Sequence, residues 1–416
     1  MERIIDQYMD DPWGWYDDDD DLWDDDDDAG DDDDAGDDDD AGDDDDAGDD
    51  DDEGDDDDHS DTNVQEEGVD EADIVKTDGE ILAVLTYGHL LLFDPVPAGE
   101  THELGRLEVT GLGLEMFLYK QLVVIFTEVY RNELPEDVWN DLSGGEVPSD
   151  IVKISVVDIS NPALPELIRE DYVEGLYLGS RRIDNSVRVA IWSSDKEYEY
   201  ETWIDPDPYC DDYDPDDCDY DALRDAYENL KDLNRQRIRD TTLDVWMPRS
   251  FRVRRVPQGP EMTSGYINEC DDLYHPSAPQ GTKTLSVISL DLENPTVRQN
   301  DIGLVADGSI IYASSTSLYV STDLYQSWDW FEDEEQGYSL IHKFDIESSE
   351  SEALYMGTGR IDGWLLNQFS MSEYQGYLRA ASTTGFWGED QSNHVFVLEQ
   401  GDGELSIVGE LSLIHI

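Results

Sequence analysis

The segment Asp78-Gly79-Glu80-Ile81-Leu82-Ala83-Val84-Leu85-Thr86-Tyr87-Gly88-His89-Leu90-Leu91-Leu92-Phe93-Asp94-Pro95 decides the fold. Asp78-Gly79 and Tyr87-Gly88 are turn dipeptides. Each is followed by a short β-rich apolar run, Ile81–Leu85 and then Leu90–Phe93. The segment reads as strand, tight turn, strand, and its second strand ends in an acid.

The same unit recurs along the chain. Leu122–Phe126 is followed by Ile154–Ile159, which contains Asp158. Val187–Trp192 pairs, after a long insertion, with Leu285–Leu292, which contains Asp291. Asp307-Gly308 opens Ile310–Tyr312 and Ser317–Val320, followed by Leu340–Ile346 with Asp345. Gln375-Gly376 opens Tyr377–Ala380, followed by Val395–Leu398. Units of about 40–50 residues with four strands each predict propeller blades, because no unit can cover its own apolar face and neighbours must stack. The predicted fold class is all-β: a β-propeller of four-stranded antiparallel blades, about five of them, with the ring incomplete.

The interruption at 196–283 is read as an insertion with a helix over about 219–239. Leu223, Ala226, Tyr227, Leu230, Leu233 and Ile238 recur at helical spacing and are expected to dock one face on the ring.

Composition bounds the function. The 416 residues carry 105 acids against 25 bases, a net charge of −80. Such a field excludes nucleic acid and anionic membrane as partners and favours basic partners or divalent cations. Residues 1–61 form an acidic spacer. Its Asp-Asp-Asp-Asp-Ala-Gly repeats, from Asp17 to Asp58, cannot bury apolar surface and are expected to stay extended and disordered. No apolar run approaches ~18 residues, so no transmembrane segment is expected. Met1 to Tyr16 lacks the basic-then-apolar order of a signal peptide. The last six residues, Leu411-Ser412-Leu413-Ile414-His415-Ile416, match the translation of a sequencing-library transposon end. The expectation is an adapter artefact at 411–416 on a chain broken near Glu410; a natural final strand is the other reading.

Beyond these units, one string is distinctive: Thr62-Asn63-Val64-Gln65-Glu66-Glu67-Gly68-Val69-Asp70-Glu71-Ala72-Asp73-Ile74-Val75-Lys76-Thr77-Asp78-Gly79. It resembles the opening signature of an uncharacterised family of secreted bacterial and archaeal β-propeller proteins, distantly related to WD40 repeats. Ser180–Asp184, Thr242–Pro248 and Cys270–Pro276 resemble further segments of that family, and Gly363-Trp-Leu-Leu-Asn367-Gln368-Phe369-Ser370-Met-Ser-Glu373-Tyr374-Gln-Gly376-Tyr-Leu-Arg379 resembles its most specific one. The resemblance spans 62–410. It implies a propeller domain, an extracytoplasmic location (secreted or cell surface) and no agreed activity. It marks Asn63, Gly68, Asp70, Glu71, Asp73, Lys76, Asp78 and Gly79, with Asn367, Gln368, Phe369, Ser370, Glu373, Tyr374, Gly376 and Arg379, as structural motif residues. Glu66 departs from the family's usual apolar residue, and the family's later blades are absent.

Candidate chemistry is sparse. Asp205, Asp207, Asp211, Asp212, Asp214 and Asp216 alternate on a turn-rich loop that would wrap Ca2+ with carboxylate oxygens, and a Cys210–Cys218 disulfide would pin it. The spacing is not that of an EF-hand, and an acidic surface loop is the alternative. Ser370 lacks a nucleophile elbow. Asn367 and Glu373 are expected to tie adjacent blades. Asp70, Glu71 and Asp73 are expected to cap turns or pair with arginines. No histidine pair has zinc spacing. The expected function is a non-enzymatic secreted or cell-surface module that binds or scaffolds a protein or glycan. The alternatives are a hydrolase with a carboxylate site in the central funnel and a calcium-dependent adhesion component.

Overall fold

The structure is a computed structural model and describes residues 64–142, 150–194, 201, 203–205, 208–209, 219–276, 283–297, 301–324, 337–348, 352–385 and 391–413. Its strands form five sheets. The first is a meander of Val75–Thr77, Leu82–Thr86, His89–Asp94 and His102–Glu108. The fourth repeats it with Ile310–Ala313, Ser317–Leu324, Tyr338–Asp345 and Leu354–Asp362. The fifth does so with Met371–Tyr374, Tyr377–Thr384, Ser392–Gln400 and Leu405–Leu413.

The second and third sheets have the same antiparallel core with additions. Leu112–Tyr119, Leu122–Glu128, Ile151–Asp158 and Glu166–Glu174 build the second, which a hairpin of Arg249–Val256 and Gly259–Tyr266 widens to six strands. Leu176–Ile183, Ser186–Ser193, Thr284–Asp291 and Ile302–Val305 build the third, flanked by the two-residue strands Asp70–Glu71 and Leu273–Tyr274.

The sheets stack face to face in chain order, with a main apolar core between each neighbouring pair. Ala83, Leu85, Leu90 and Leu92 meet Met116, Val123, Ile125 and Val157. Phe117, Val124, Phe126 and Ile154 meet Val187, Val189, Ile191 and Leu290. Leu285, Val287 and Leu304 meet Ile311, Leu318, Val320 and Phe344. Tyr312, Tyr319, Ile341 and Ile361 meet Leu378, Ala380, Phe396 and Leu398. Burial of each such side chain contributes about 1.5–3 kcal/mol, so the stacking interfaces dominate the stability. Twisted four-stranded meanders stacked this way are the blades of a β-propeller.

A short acid-ended turn closes the third strand of four blades. The Asp94 carboxylate accepts the Val96 N–H, Asp158 that of Ser160, Asp291 that of Glu293 and Asp345 those of Glu347 and Ser348. These are Asx turns, in which the side chain replaces the next backbone acceptor. The acids read as unit ends in the sequence therefore have a mechanical role.

The insertion contributes α1, Tyr220–Asp240, whose first turn is capped by Asp219 accepting the Ala222 N–H. Its buried stripe is Leu223, Tyr227, Leu230, Lys231 and Asn234. The expected docking of Leu233 and Ile238 is corrected: both are exposed. Leu223, Tyr227 and Leu230 pack with Ile204 and Tyr209 of the insertion itself, Leu233 lies off that stripe, and Asn234 holds the inward position by donating to the Glu201 carbonyl at 2.8 Å. Leu411 and Ser412 continue the last strand opposite Val395 and His394.

Candidate functional site

Residues 64–79 of the motif form a strap along the inner strands. From its N-terminal end it meets the blades in reverse order. The Gln65 amide donates to the Gln368 and Met371 carbonyls at the fifth blade, at 3.1 and 3.0 Å. Glu66 accepts the Tyr312 hydroxyl of the fourth at 2.6 Å. Asp70 and Glu71 pair as a strand with Arg182 and Arg181 of the third. Asp73 bridges to Met116 of the second, and Val75–Thr77 is the innermost strand of the first. Gly68 turns the chain with φ +79°, where an L side chain would be strained.

Around the strap lies a polar cluster. Asp70 takes both the Lys76 ammonium (2.7 Å) and the Arg182 guanidinium (2.9 Å). Arg181 lies 3.6 Å from Glu71 and donates to the Gln368 side chain at 2.6 Å. Glu115, on the second blade, accepts the Tyr177 hydroxyl at 2.8 Å. Burial pushes the Glu115 carboxyl above the usual carboxylate range; the Tyr177 bond and Arg181 oppose this, and Asp73 and Glu71 add to it. Burial and the neighbouring Glu115 also push the Tyr177 phenol far up.

Glu373 is a knot between the fourth and fifth blades. Its carboxylate accepts from Ser314 at 2.8 Å, Tyr319 at 2.9 Å and Thr316 at 3.3 Å, and its own N–H donates to the Tyr312 hydroxyl at 2.6 Å. Asn367 caps the turn Gln368–Ser370 by accepting the Phe369 N–H. Ser370 receives the Leu366 and Asn367 N–H groups, so its hydroxyl is held inside that turn. Asp78 caps the first hairpin through the Glu80 and Ile81 N–H groups, and Gly79 and Gly376 hold positive φ at their turns. Arg379 lies over the Tyr374 ring at 5.2 Å, and Phe369 and Tyr374 are exposed.

The carboxylate loop is mostly out of view. Asn63, Asp207, Cys210, Asp211, Asp212, Asp214, Asp216 and Cys218 lie outside the described residues, so the proposed Ca2+ ligand set and disulfide do too; Asp205 alone is described. Cys270 is a free, exposed thiol. Among the described residues no group of three His, Cys, Asp or Glu is placed to hold a metal ion, and no helix is long and apolar enough to cross a membrane.

Sequence reading missed a second charged site. The hairpin strand Arg249–Val256 pairs with Glu166–Glu174 of the second blade. Arg252 reaches the buried Asp171 at 2.6 Å, beside Arg169, and Arg255 reaches Glu170 at 2.7 Å. Burial pulls the Asp171 carboxyl up, but the two guanidiniums outweigh it and hold the group below its usual range. The alternation Phe251-Arg252-Val253-Arg254 was the available signal: apolar residues on one face, bases on the other.

The model of the beta propeller domain family matches residues 59–415, nearly all of the chain beyond its acidic tract. The chain belongs to the beta propeller domain family. An uncharacterized protein of Methanocaldococcus jannaschii is 26% identical over 387 residues, covering 84% of this chain and 54% of that protein. An uncharacterized protein of Archaeoglobus fulgidus is 23% identical over 397 residues, covering 84% and 55%. The propeller chain thus spans about half the length of these curated relatives. Among solved structures, Kluyveromyces lactis Hsv2p is similar at a TM-score of 0.27 and 10% identity, covering 82% of this chain and 86% of that one. The N-terminal domain of Nup159 has a TM-score of 0.24 at 10% identity, covering 82% and 65%.

Proposed function

We propose that this propeller is an extracytoplasmic binding or scaffold module for a protein or glycan, and not an enzyme. The observation that carries the reading is the employment of the polar side chains of the strap and of the 367–379 motif. Asp70 pairs with Lys76 of the first blade and Arg182 of the third, Glu71 with Arg181 of the third, and Glu66 and Glu373 accept from Tyr312 and Tyr319 of the fourth. Ser370 is occupied within its own turn. Groups that hold a frame together are already partnered, and catalysis needs groups free to meet a substrate. A rigid stacked frame with loops at both rims suits recognition.

A glycan array and a panel of chromogenic glycosides and phosphate esters test this reading on one purified sample. Saturable binding without turnover supports it. Turnover overturns it.

One observation favours a hydrolase as the second reading. Burial pushes the Glu115 carboxyl upward, with the charges of Asp73 and Glu71 adding to it, and a carboxyl whose proton affinity is raised can serve as a general acid. Turnover that disappears in Glu115→Gln would select that reading.

A further inference from the structure

The second blade buries a lysine that no partner fully satisfies. Lys153 is 2% exposed, with Thr127 at 0% and Ser155 at 2%. Thr127 lies opposite Lys153 in the strand register, and Ser155 follows two residues along Ile151–Asp158, so the three share one face of the sheet. Among the described residues neither hydroxyl has a hydrogen-bond partner. Lys153 reaches the Glu170 carboxylate only at 3.8 Å, beyond hydrogen-bond distance. Glu170 is already committed: one oxygen takes the Arg255 guanidinium at 2.7 Å and the other the Tyr172 hydroxyl at 3.4 Å. Tyr172, which pairs in register with Lys153, belongs to an apolar cluster with Ile151, Phe251 and Val253.

Lys76 shows the contrast. It is 4% exposed, yet its ammonium donates to Asp70 at 2.7 Å and to the Glu71 carbonyl. At Lys153 an ammonium is stripped of water and receives no acceptor in return, which favours the neutral amine. Burial pulls the group below the usual lysine range; the charges of Glu170 and Glu133 oppose this, and Arg255 adds to it. A desolvated neutral lysine is a nucleophile toward carbonyl carbon. The cluster reaches the surface at Arg255, whose side chain is half exposed.

We propose that Lys153 is a covalent capture site for short-chain aldehydes, which it holds as an imine. The amine lone pair attacks the carbonyl carbon and forms the C–N bond. A proton passes from nitrogen to the former carbonyl oxygen, giving a carbinolamine. Ser155 and Thr127 offer that new hydroxyl the partners a buried polar group needs. The C–O bond then breaks, the oxygen takes the second amine proton and leaves as water, and the imine remains. No oxidant or reductant is consumed, and hydrolysis reverses the step. The apolar side chains packed around the amine restrict the ligand to a short chain. Reversible capture of this kind suits a binding module.

Acetaldehyde with cyanoborohydride tests the proposal on the intact chain. The reductant converts an imine to a stable secondary amine, which peptide mass spectrometry maps. At pH 7 Lys153 is expected to be ethylated about tenfold or more faster than the partly exposed Lys283 or the buried, paired Lys76, as a tenfold larger neutral fraction requires. In urea the three rates should converge. A Lys153 that reacts no faster than Lys283 in the folded protein overturns the proposal, because its amine is then protonated or out of reach. So does equal labelling of Lys153 and Lys76, which would report transient unfolding. An advantage that survives in urea overturns it as well, since the cluster would then not be its source.

Discussion

The Tyr312 hydroxyl donates to the Glu66 carboxylate across 2.6 Å, joining the strap to the fourth blade from 246 positions away in the sequence. The same oxygen accepts the Glu373 N–H, so one phenol links the strap, the fourth blade and the fifth. Burial and the Glu66 bond both push the phenol's proton affinity up, which keeps it a donor.

Tyr312→Phe should therefore lower the unfolding free energy by about 1–3 kcal/mol, because it strands a carboxylate oxygen and a backbone N–H together. Glu66→Gln keeps an acceptor and should cost less. Urea denaturation of the two variants compares them directly; equal effects would mean that the bond is idle.

Acid should weaken the fourth blade through His342. The ring is buried, its Nδ1 sits 2.7 Å from the Thr358 hydroxyl, and burial lowers its pKa from 6.5 to about 3. Between those values the unfolded chain binds a proton that the folded chain refuses, so stability falls as pH drops from 6.5 toward 3 and is fully present above 6.5. His342→Leu should flatten the urea midpoint over that window. A variant profile as steep as the parent's would assign the acid sensitivity elsewhere.

Arg252→Met should loosen the insertion hairpin. It leaves Asp171 buried with Arg169 alone, and breaking a buried ion pair costs about 3–5 kcal/mol, with the lower end expected here because one base remains. Hydrogen exchange should quicken in Arg249–Val256 and Gly259–Tyr266 before the inner strands respond. Uniform quickening would show that the hairpin is not a separate unit.

Gly357 tolerates no side chain. Its φ is +139°, and an added Cβ would lie 2.3 Å from the Gly403 carbonyl oxygen of the fifth blade. Gly357→Val should cost about 3 kcal/mol or more, through backbone strain plus overpacking. A thermal midpoint within a degree or two of the parent's would contradict that close approach.

The blades were legible because their signals are local. Asp78-Gly79, Tyr87-Gly88 and the terminal Asp94, Asp158, Asp291 and Asp345 each act on backbone a few residues away, and the structure uses them so. α1 was legible in position and only partly in facing, since Leu233 and Asn234 exchange the sides that hydropathy assigns them. The strap's path was not legible. Its partners, such as Arg181, Tyr312 and Gln368, lie about one hundred to three hundred residues away, and no periodicity encodes a hydrogen bond to them. The hairpin at 249–266 was hidden differently. It pairs with the second blade although it is inserted in the third, a choice made by Asp171 and Glu170 waiting at that edge.

The strap also imposes an order on biosynthesis. Gln65 leaves the ribosome ahead of the five described blades, yet its hydrogen-bond acceptors, Gln368 and Met371, belong to the fifth. Contacts that distant in the chain are slow to form. The strap is thus made before the fifth blade and can be seated on it only after that blade has been synthesised.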